Sequence, residues 1–258
     1  MKFACGVVIY KPSEDNINYL KKISRIFDGF LVYNNSIGVG DELKEVADQY
    51  YKYNRNDGLA KPYNTFIDYC YENQIQVLCL LDQDSKITDE QITYIKRLIN
   101  DNWNDDYIVY APRLIGTKKS EWVINSNSFL NVGMLKKCKI KYDEYYFLDR
   151  LDVDICTQIK KKGKKILIFE DVVVEHRIGT GKFNEHSPIR HYYISRNRNY
   201  YNRKYMSSIY LFFLKTVLQD IRHLLQIIIF ESHKRNKIKA FIRGKKSYFN
   251  ERKLNEKI

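Results

Sequence analysis

Residues 77–85 read VLCLLDQDS, and this stretch decides the fold. Five apolar residues, Val77 to Leu81, form a run of strand length, and the polar group Asp82-Gln83-Asp84-Ser85 follows at once. A continuous apolar run bounded in this way predicts a strand that is buried on both faces, as in a parallel sheet covered by helices. We therefore expect two carboxylates to emerge at the carboxyl end of a central strand.

The chain before this strand alternates between strand-like and helix-like patterns. Apolar runs at 3–10 and 30–33 predict strands, and helical spacing of apolar residues predicts helices at 17–26, 41–50 and 60–73. This βαβαβ-like order predicts an α/β fold with a mostly parallel central sheet flanked by helices. Ligands bind such sheets outside the carboxyl ends of the strands.

The charge of the chain is unevenly distributed. Its 258 residues carry a net charge of +13, yet residues 1–185 contain 27 basic and 27 acidic residues. Residues 186–258 contain 17 basic and 4 acidic residues and hold the whole excess. A neutral body with a basic end predicts that one region meets an anionic partner, either nucleic acid or a membrane.

Several protein classes are disfavoured by missing patterns. Neither GxGxxG nor GxxxxGK[ST] occurs, which argues against a dinucleotide-dependent dehydrogenase and a P-loop nucleotidase. Five cysteines without a CxxC pair argue against a disulfide framework or structural zinc. The apolar stretch at 209–230 is interrupted by charged and amide residues, so no transmembrane segment is predicted.

Two acidic clusters are candidates for chemistry. Asp82 and Asp84 offer hard oxygen ligands that suit Mg²⁺ or Mn²⁺, although the same pattern is also found in solvated turns. Asp149, Asp152 and Asp154 lie within six residues, where mutual repulsion and apolar neighbours can raise the pKa of one carboxylate toward that of a general base. The others would then serve as helix caps or ion-pair partners.

Two further groups of polar residues lie beside predicted strands or helices. His176 follows the apolar run at 166–174, so it leaves a strand at a loop and is a candidate third metal ligand or a structural histidine. Asn56, Gly58, Lys61 and Asn64 surround the start of the predicted helix at 60–73, where backbone N–H groups favour anions and Lys61 adds a positive charge.

Taken in order, these motifs resemble the inverting, nucleotide-sugar-dependent glycosyltransferases of family 2, which have the GT-A fold. The resemblance is nearest to the bacterial rhamnosyltransferase-like branch that builds cell-surface polysaccharide such as capsule, and it covers about residues 3–200. The segments that carry it are VIYKP (8–12), LVYNNS (31–36), NDGLA (56–60) with Asn64, LLDQDS (80–85), INSNS (124–128), YDEYYFLD (142–149) with Asp152 and Asp154, His176 with Gly179, and RHYY (190–193) with Arg196 and Asn197.

The resemblance implies a role for each matched residue. Asp152 would be the catalytic base that removes the proton of the acceptor hydroxyl. Asp82, Asp84 and His176 would hold Mg²⁺ or Mn²⁺, with Asp82 also near the ribose. The remaining donor-binding positions would be Tyr10, Asn34, Asn56, Gly58, Lys61 and Asn64 on the nucleotide side and Ser126 and Ser128 on the sugar side.

Three positions depart from the pattern of the family. In the segment VYNNS (32–36), Tyr33 stands where relatives have an aspartate that reads the base, so the donor is predicted only as a dTDP- or UDP-sugar. Gln158 replaces a frequent arginine, and Asn127 replaces a frequent glycine. The donor and acceptor sugars therefore cannot be transferred from the family to this chain.

The predicted domains are a GT-A glycosyltransferase domain at 1–203 and a helical, basic region at 204–258. An amphipathic helix is expected at 206–230, and the basic residues after it suit an anionic membrane surface or a contact in a homodimer. We expect a peripheral enzyme on the cytoplasmic face of the membrane that moves rhamnose or another hexose to a lipid-diphosphate-linked or oligosaccharide acceptor. The alternatives are a nucleic-acid-binding protein that uses the basic aromatic end and a scaffold that has lost transferase activity.

Overall fold

A computed structural model describes residues 1–114, 122–174 and 186–255 of the chain. The described residues form seven strands in one sheet and eight α-helices. The strands are β1 (Phe3–Ile9), β2 (Gly29–Asn34), β3 (Gln49–Lys52), β4 (Val77–Asp82), β5 (Tyr107–Leu114), β6 (Ser128–Asn131) and β7 (Lys165–Val174). The helices are α1 (Glu14–Ser24), α2 (Ala60–Glu72), α3 (Asp89–Asp101), α4 (Val132–Lys137), α5 (Leu151–Lys161), α6 (Pro188–Tyr205), α7 (Ile209–Phe230) and α8 (Lys234–Asn255).

The sheet has the strand order β3-β2-β1-β4-β6-β5-β7. All neighbouring strands are parallel except that β6 runs antiparallel to both β4 and β5. The predicted α/β fold with a mostly parallel sheet is therefore confirmed. Because β1, β2 and β4 are parallel neighbours, their carboxyl ends lie at one edge of the sheet and place Tyr10, Asn35 and Asp82 on neighbouring loops.

The core is built on the central strands. Every residue of β1 is buried, as are Val77 to Leu81 of β4, because helices cover both faces of the sheet. Leu20 and Ile23 of α1 and Ile92, Ile95 and Ile99 of α3 pack into the same apolar cluster. The end of β4 is therefore held in a rigid setting.

The predicted helix at 41–50 is wrong. Only Asp41–Leu43 form a short 3₁₀ turn, which Gly40 enters with a φ of 85°, and the chain then becomes the edge strand β3. β3 pairs in parallel with β2, for example Tyr50 with Val32. Strand pairing outweighs the helical spacing of this segment, because its aromatic residues favour strands and the edge of β2 offers unpaired backbone groups.

The chain divides into two compact units. Within the described part, the sheet unit comprises residues 1–145 and 151–174, and the helical unit comprises residues 146–150 and 186–255. In the helical unit, α6 packs along α8, where the Tyr192 hydroxyl donates to Ser247 Oγ at 2.9 Å. Within the described residues α6 lies in the same unit as α7 and α8. The predicted domain boundary at residue 203 stays a prediction.

Candidate active site

The end of β4 forms a tight turn that presents two carboxylates. Ser85 N donates to the Asp82 carbonyl at 3.0 Å, and Asp82 N donates to Ser85 Oγ at 3.1 Å. Ser85 is buried, Asp82 is partly buried and Asp84 is exposed. In this turn the Asp84 side chain is exposed to solvent, whereas Asp82 is partly covered by the protein.

Gln83 joins this turn to the end of β1. Its side-chain oxygen accepts from Tyr10 N at 2.7 Å, and its side-chain nitrogen donates to the Tyr10 carbonyl at 3.2 Å. Asn16 Nδ2 also donates to the Gln83 carbonyl, at 2.9 Å. These bonds fix the backbone of Tyr10 to Gln83, the residue between the two carboxylates, while the Tyr10 side chain is exposed.

The loop before β6 packs against the same turn. The Ser85 and Ser126 hydroxyls lie 2.7 Å apart, and Asn127 N donates to the Leu80 carbonyl at 2.8 Å. Ser126 is buried, as is Ser128, whose hydroxyl donates to the Ile124 carbonyl. Both serines thus hold the loop beside Asp82, and their predicted contact with the sugar stays a prediction.

Asp152 lies in the first turn of α5, and its carboxylate accepts from Val153 N at 2.8 Å. Burial raises the pKa of the Tyr63 phenol well above its usual value, and the charges of Asp82 and Asp152 raise it further. The Tyr63 and Tyr142 rings pack with centroids 5.0 Å apart. Burial also raises the pKa of the Tyr142 phenol, and the charge of Asp152 raises it further. The charges of Asp82 and Asp152, which are 70 positions apart in sequence, therefore both act on the buried Tyr63.

The other two acids near Asp152 have different surroundings. Asp154 is buried, and its carboxylate accepts from Gln158 Nε2 at 2.7 Å. Asp149 belongs to the helical unit, where it accepts from Arg190 Nε at 3.2 Å. Of the three acids, Asp152 is the one whose charge acts on the same tyrosine as Asp82.

A second polar cluster follows β2. Asn35 is buried, and its amide accepts from Asp57 N at 3.0 Å and donates to the Gly58 carbonyl at 2.8 Å. The Tyr33 hydroxyl donates to Asp57 Oδ2 at 2.6 Å, and Lys61 Nζ lies 3.5 Å from the same oxygen. These contacts fix the loop that precedes α2.

The Asp57 carboxylate is strongly stabilised in its charged form. Burial acts to raise its pKa, but the hydrogen bond from Tyr33 and the charges of Lys61 and Arg55 outweigh burial and lower the pKa below its usual value. Asn56 completes the loop by accepting from Gly58 N at 2.9 Å, and Gly58 has a φ of 72° that favours glycine. The predicted residues Asn56, Gly58 and Lys61 therefore form one structured loop.

Asn34 and Asn64 are engaged in holding loops. Asn34 is buried, and its amide donates to the Val39 carbonyl and contacts the Tyr50 hydroxyl, both at 2.7 Å. Asn64 exchanges two hydrogen bonds of 2.9 Å with the backbone of Tyr142. Asn64 thereby positions the tyrosine that packs on Tyr63, and a direct contact of either asparagine with a nucleotide stays a prediction.

The carboxylates at the β4 turn fit a hard divalent cation. Such an ion accepts oxygen ligands and, when few of them come from protein, keeps positions for phosphate oxygens. The roles of Asp82 and Asp84 as metal ligands stay predictions, and His176 lies outside the described residues. Among the described residues, no group of three His, Cys, Asp or Glu side chains is arranged around a metal position.

Several contacts at this edge of the sheet were not predicted from the sequence. Gln83, Asn35 and Asp57 support the loops that carry the predicted residues, and each acts across 22 to 73 positions of sequence. The only local signal was their position inside the motifs DQD, NNS and NDG. Their partners are set by strand register and loop packing.

Known proteins with a similar architecture are glycosyltransferases. A solved structure of S. aureus TarS residues 1–349 with UDP-GlcNAc matches with a TM-score of 0.56 and 16% identity, over 95% of this chain and 81% of that one. The mannosyltransferase PcManGT from Pyrobaculum calidifontis, solved with GDP-Man and Mn²⁺, matches with a TM-score of 0.58 and 11% identity. That match covers 78% of this chain and 64% of the mannosyltransferase. This chain has the GT-A fold.

A protein that is similar in sequence is also a sugar transferase. The dTDP-rhamnosyl transferase RfbF of Shigella flexneri is 24% identical over 236 residues, which cover 74% of this chain and 76% of the relative. No family model matches the chain. The predicted GT-A fold is confirmed, and the curated relative agrees with the predicted resemblance to nucleotide-sugar glycosyltransferases of the rhamnosyltransferase branch.

Proposed function

We propose that this GT-A protein is an inverting glycosyltransferase that moves rhamnose or another hexose from a nucleoside-diphosphate sugar to a hydroxyl of a saccharide acceptor. The observation that carries the proposal is the turn at the end of β4, which presents the carboxylates of Asp82 and Asp84 at the carboxyl edge of the parallel strands. The named functions of the relatives support the transferase class. The nucleic-acid alternative has no comparable support.

Asp152 is the proposed catalytic base. Its carboxylate accepts the proton of the acceptor hydroxyl as that oxygen attacks the anomeric carbon, and the bond to the diphosphate breaks. The hydrogen bond from Val153 N orients this carboxylate within the first turn of α5. Asp154 and Asp149 are less suited, since one is buried and the other pairs with Arg190.

Asp82 and Asp84 are the proposed ligands of Mg²⁺ or Mn²⁺, together with His176. When bound, such an ion neutralises the negative charge of the departing diphosphate. Lys61, in the first turn of α2, supplies a further positive charge beside the loop of Asn56 and Gly58, which is proposed to bind the nucleotide. The proposed donor is a dTDP- or UDP-sugar, and both bases are kept because Tyr33 stands where relatives have the carboxylate that reads the base.

The proposed acceptor is a growing bacterial cell-surface polysaccharide, carried on a lipid diphosphate at the cytoplasmic face of the membrane. The sequence relative that transfers rhamnose supports the sugar chemistry. The basic C-terminal helices support a location beside anionic lipid. A lipid-diphosphate acceptor should therefore be used in preference to the free oligosaccharide.

The proposal is tested first by donor binding. The purified protein is heated with each of a panel of nucleotide sugars in the presence of Mn²⁺, Mg²⁺ or EDTA, because a ligand of the native state raises the melting temperature. We expect one donor to raise it in a metal-dependent way. A chain that is stabilised by none of the nucleotide sugars contradicts the proposed function.

Asp152→Asn then separates binding from chemistry. We expect this variant to bind the donor as the wild type does but to lose at least about 10²-fold in kcat, because general-base catalysis contributes about 10²- to 10⁴-fold. Asp101→Asn, which removes the same charge from the end of α3, is the matched control and should keep full activity. A substantially active Asp152→Asn enzyme refutes the assignment of the base.

A further inference from the structure

The helix α7 is amphipathic in an unusual orientation. Its protein-facing side includes the polar residues Thr216, Asp220 and His223, which are all buried. Its outward side carries a stripe of large apolar side chains that are 47 to 71% exposed. Six residues define the stripe at helical spacing: Tyr210, Leu214, Leu218, Ile221, Leu225 and Ile229.

The buried polar side of α7 explains why the apolar stripe faces outward. Asp220 accepts from Arg198 Nη2 at 2.6 Å, and Lys245 of α8 contacts its other oxygen. His223 lies 2.8 Å from His191, and Asn202 donates to the Thr216 hydroxyl at 3.0 Å. Rotating α7 to bury the stripe would leave the buried Arg198 and Asp220 charges without partners, which is strongly unfavourable.

Exposed basic residues border this stripe on α7, and others lie on α8. Lys215 and Arg222 lie along one border of α7, and both are exposed. On α8, Lys234, Arg235, Lys239 and Arg243 are also exposed. The acids Asp220 and Glu231 are buried against basic partners, so they do not offset the surface charge.

We propose that the outward face of α7 binds an anionic lipid bilayer, with the helix lying in the plane of the headgroups. A helix of 22 residues is about 33 Å long, and within the described residues no helix has the length and apolarity needed to span a membrane. An apolar stripe bordered by basic residues is the pattern of an interfacial helix. The inference rests on the proposed location beside anionic lipid and names the surface that binds it, and its test does not require transferase activity.

Charge favours a lipid surface over a second copy of the chain as the occupant. A symmetric dimer through this face would bring the same basic surroundings together, and like charges repel. Anionic headgroups instead complement Lys215 and Arg222, which border the stripe on α7. A depression of about 540 Å³ on this face, between Leu218 and Phe230 with Arg222 in its lining, presents apolar and basic groups side by side.

The test measures flotation of the full chain with lipid vesicles. Wild-type protein is mixed with vesicles of pure phosphatidylcholine, or with phosphatidylcholine vesicles that also contain about 30 mol % phosphatidylglycerol, which gives a strongly anionic surface. We expect recovery with the anionic vesicles and at least about tenfold weaker partitioning to the neutral ones. Salt should weaken the binding because it screens the basic residues.

Two double variants distinguish this face from general stickiness. Leu218→Asn with Leu225→Asn removes two side chains of the stripe without changing charge, and we expect at least about tenfold weaker partitioning. Tyr71→Asn with Tyr94→Asn removes two exposed apolar side chains of the sheet unit and is the matched control, which should bind as the wild type does. Circular dichroism checks that both double variants fold.

Two results would overturn the proposal. One is equal recovery of the α7 double variant and the wild type with anionic vesicles. The other is a wild type that does not float but forms a dimer in analytical ultracentrifugation that the α7 variant loses, which would make a second copy the occupant. A direct check is Ile221→Trp, whose fluorescence should shift to the blue with anionic vesicles if this face enters the lipid, and an unchanged spectrum contradicts the proposal.

Discussion

Replacing Gly244 of α8 by alanine sets two effects of known size against each other. Alanine favours a helix interior over glycine by about 0.8 to 1.0 kcal/mol. An added Cβ, however, would overlap the carbonyl oxygen of Tyr192 in α6 and lie 3.0 Å from its carbonyl carbon. Both atoms are backbone, so no side-chain rotation can relieve the contact, and the two helices must move apart.

The packing effect should dominate. Overfilling a packed interface costs about 1 to 3 kcal/mol. The upper end applies here, because the obstacle is helix backbone and the shift also strains the hydrogen bond from Tyr192 to Ser247. After subtracting the gain in helix propensity, we expect Gly244→Ala to destabilise the helical unit by about 2 kcal/mol.

Hydrogen exchange of the backbone amides in α6 and α8 is the appropriate assay. A melt of the whole chain would mix two compact units and would not report a single transition. Gly133→Ala in α4 is the matched control, since its added Cβ would meet only Asn131 Oδ1, at 3.7 Å. If Gly244→Ala exchanges more slowly than the wild type, the close approach of α6 and α8 is not as described.

Three further variants test the site and the buried network. Asp84→Ala should abolish the Mn²⁺ dependence of donor binding in the thermal-shift panel, and a metal response equal to that of the wild type would exclude Asp84 as a ligand. Asn64→Ala should destabilise the sheet unit by about 1 to 3 kcal/mol, measured by hydrogen exchange of its amides, because the Tyr142 backbone loses both partners, whereas Asn100→Ala on the surface of α3 should have little effect. Burial and the charge of Arg198 lower the pKa of His223 to about 3. As the pH falls below about 6.5, this histidine therefore binds a proton in the unfolded chain before it does so in the folded chain. The helical unit should then lose up to about 1.4 kcal/mol per pH unit between pH 6.5 and 3, and His223→Gln should reduce that slope in hydrogen exchange.

Much of the fold could be predicted because local patterns and tertiary packing agree. The apolar runs that became β1, β2 and β4 are buried on both faces, so their sequence reports their environment directly. The segment at 41–50 failed for the opposite reason. Its pattern was compatible with a helix, and pairing with the edge of β2 decided in favour of strand β3.

The candidate site was predictable in its residues but not in its contacts. Asp82, Asp84 and Asp152 could be selected because abrupt carboxylates after an apolar run, or at the start of a helix, are visible in a linear sequence. The pairings of Gln83 with Tyr10 and of Asn64 with Tyr142 depend on strand register and loop packing over 73 and 78 positions. Such distances in sequence leave no local periodicity to read.

The sequence by itself determined the α/β alternation, the carboxylates that follow β4, and a basic end that contains an amphipathic helix. Only the tertiary structure decided which face of that helix is covered. Amphipathicity alone predicts that the apolar side packs inward, whereas Arg198 and Lys245 bury Asp220 and leave the apolar stripe of α7 exposed. The outcome depends on pairing between charges in three different helices, because a buried charge is tolerated only beside its partner.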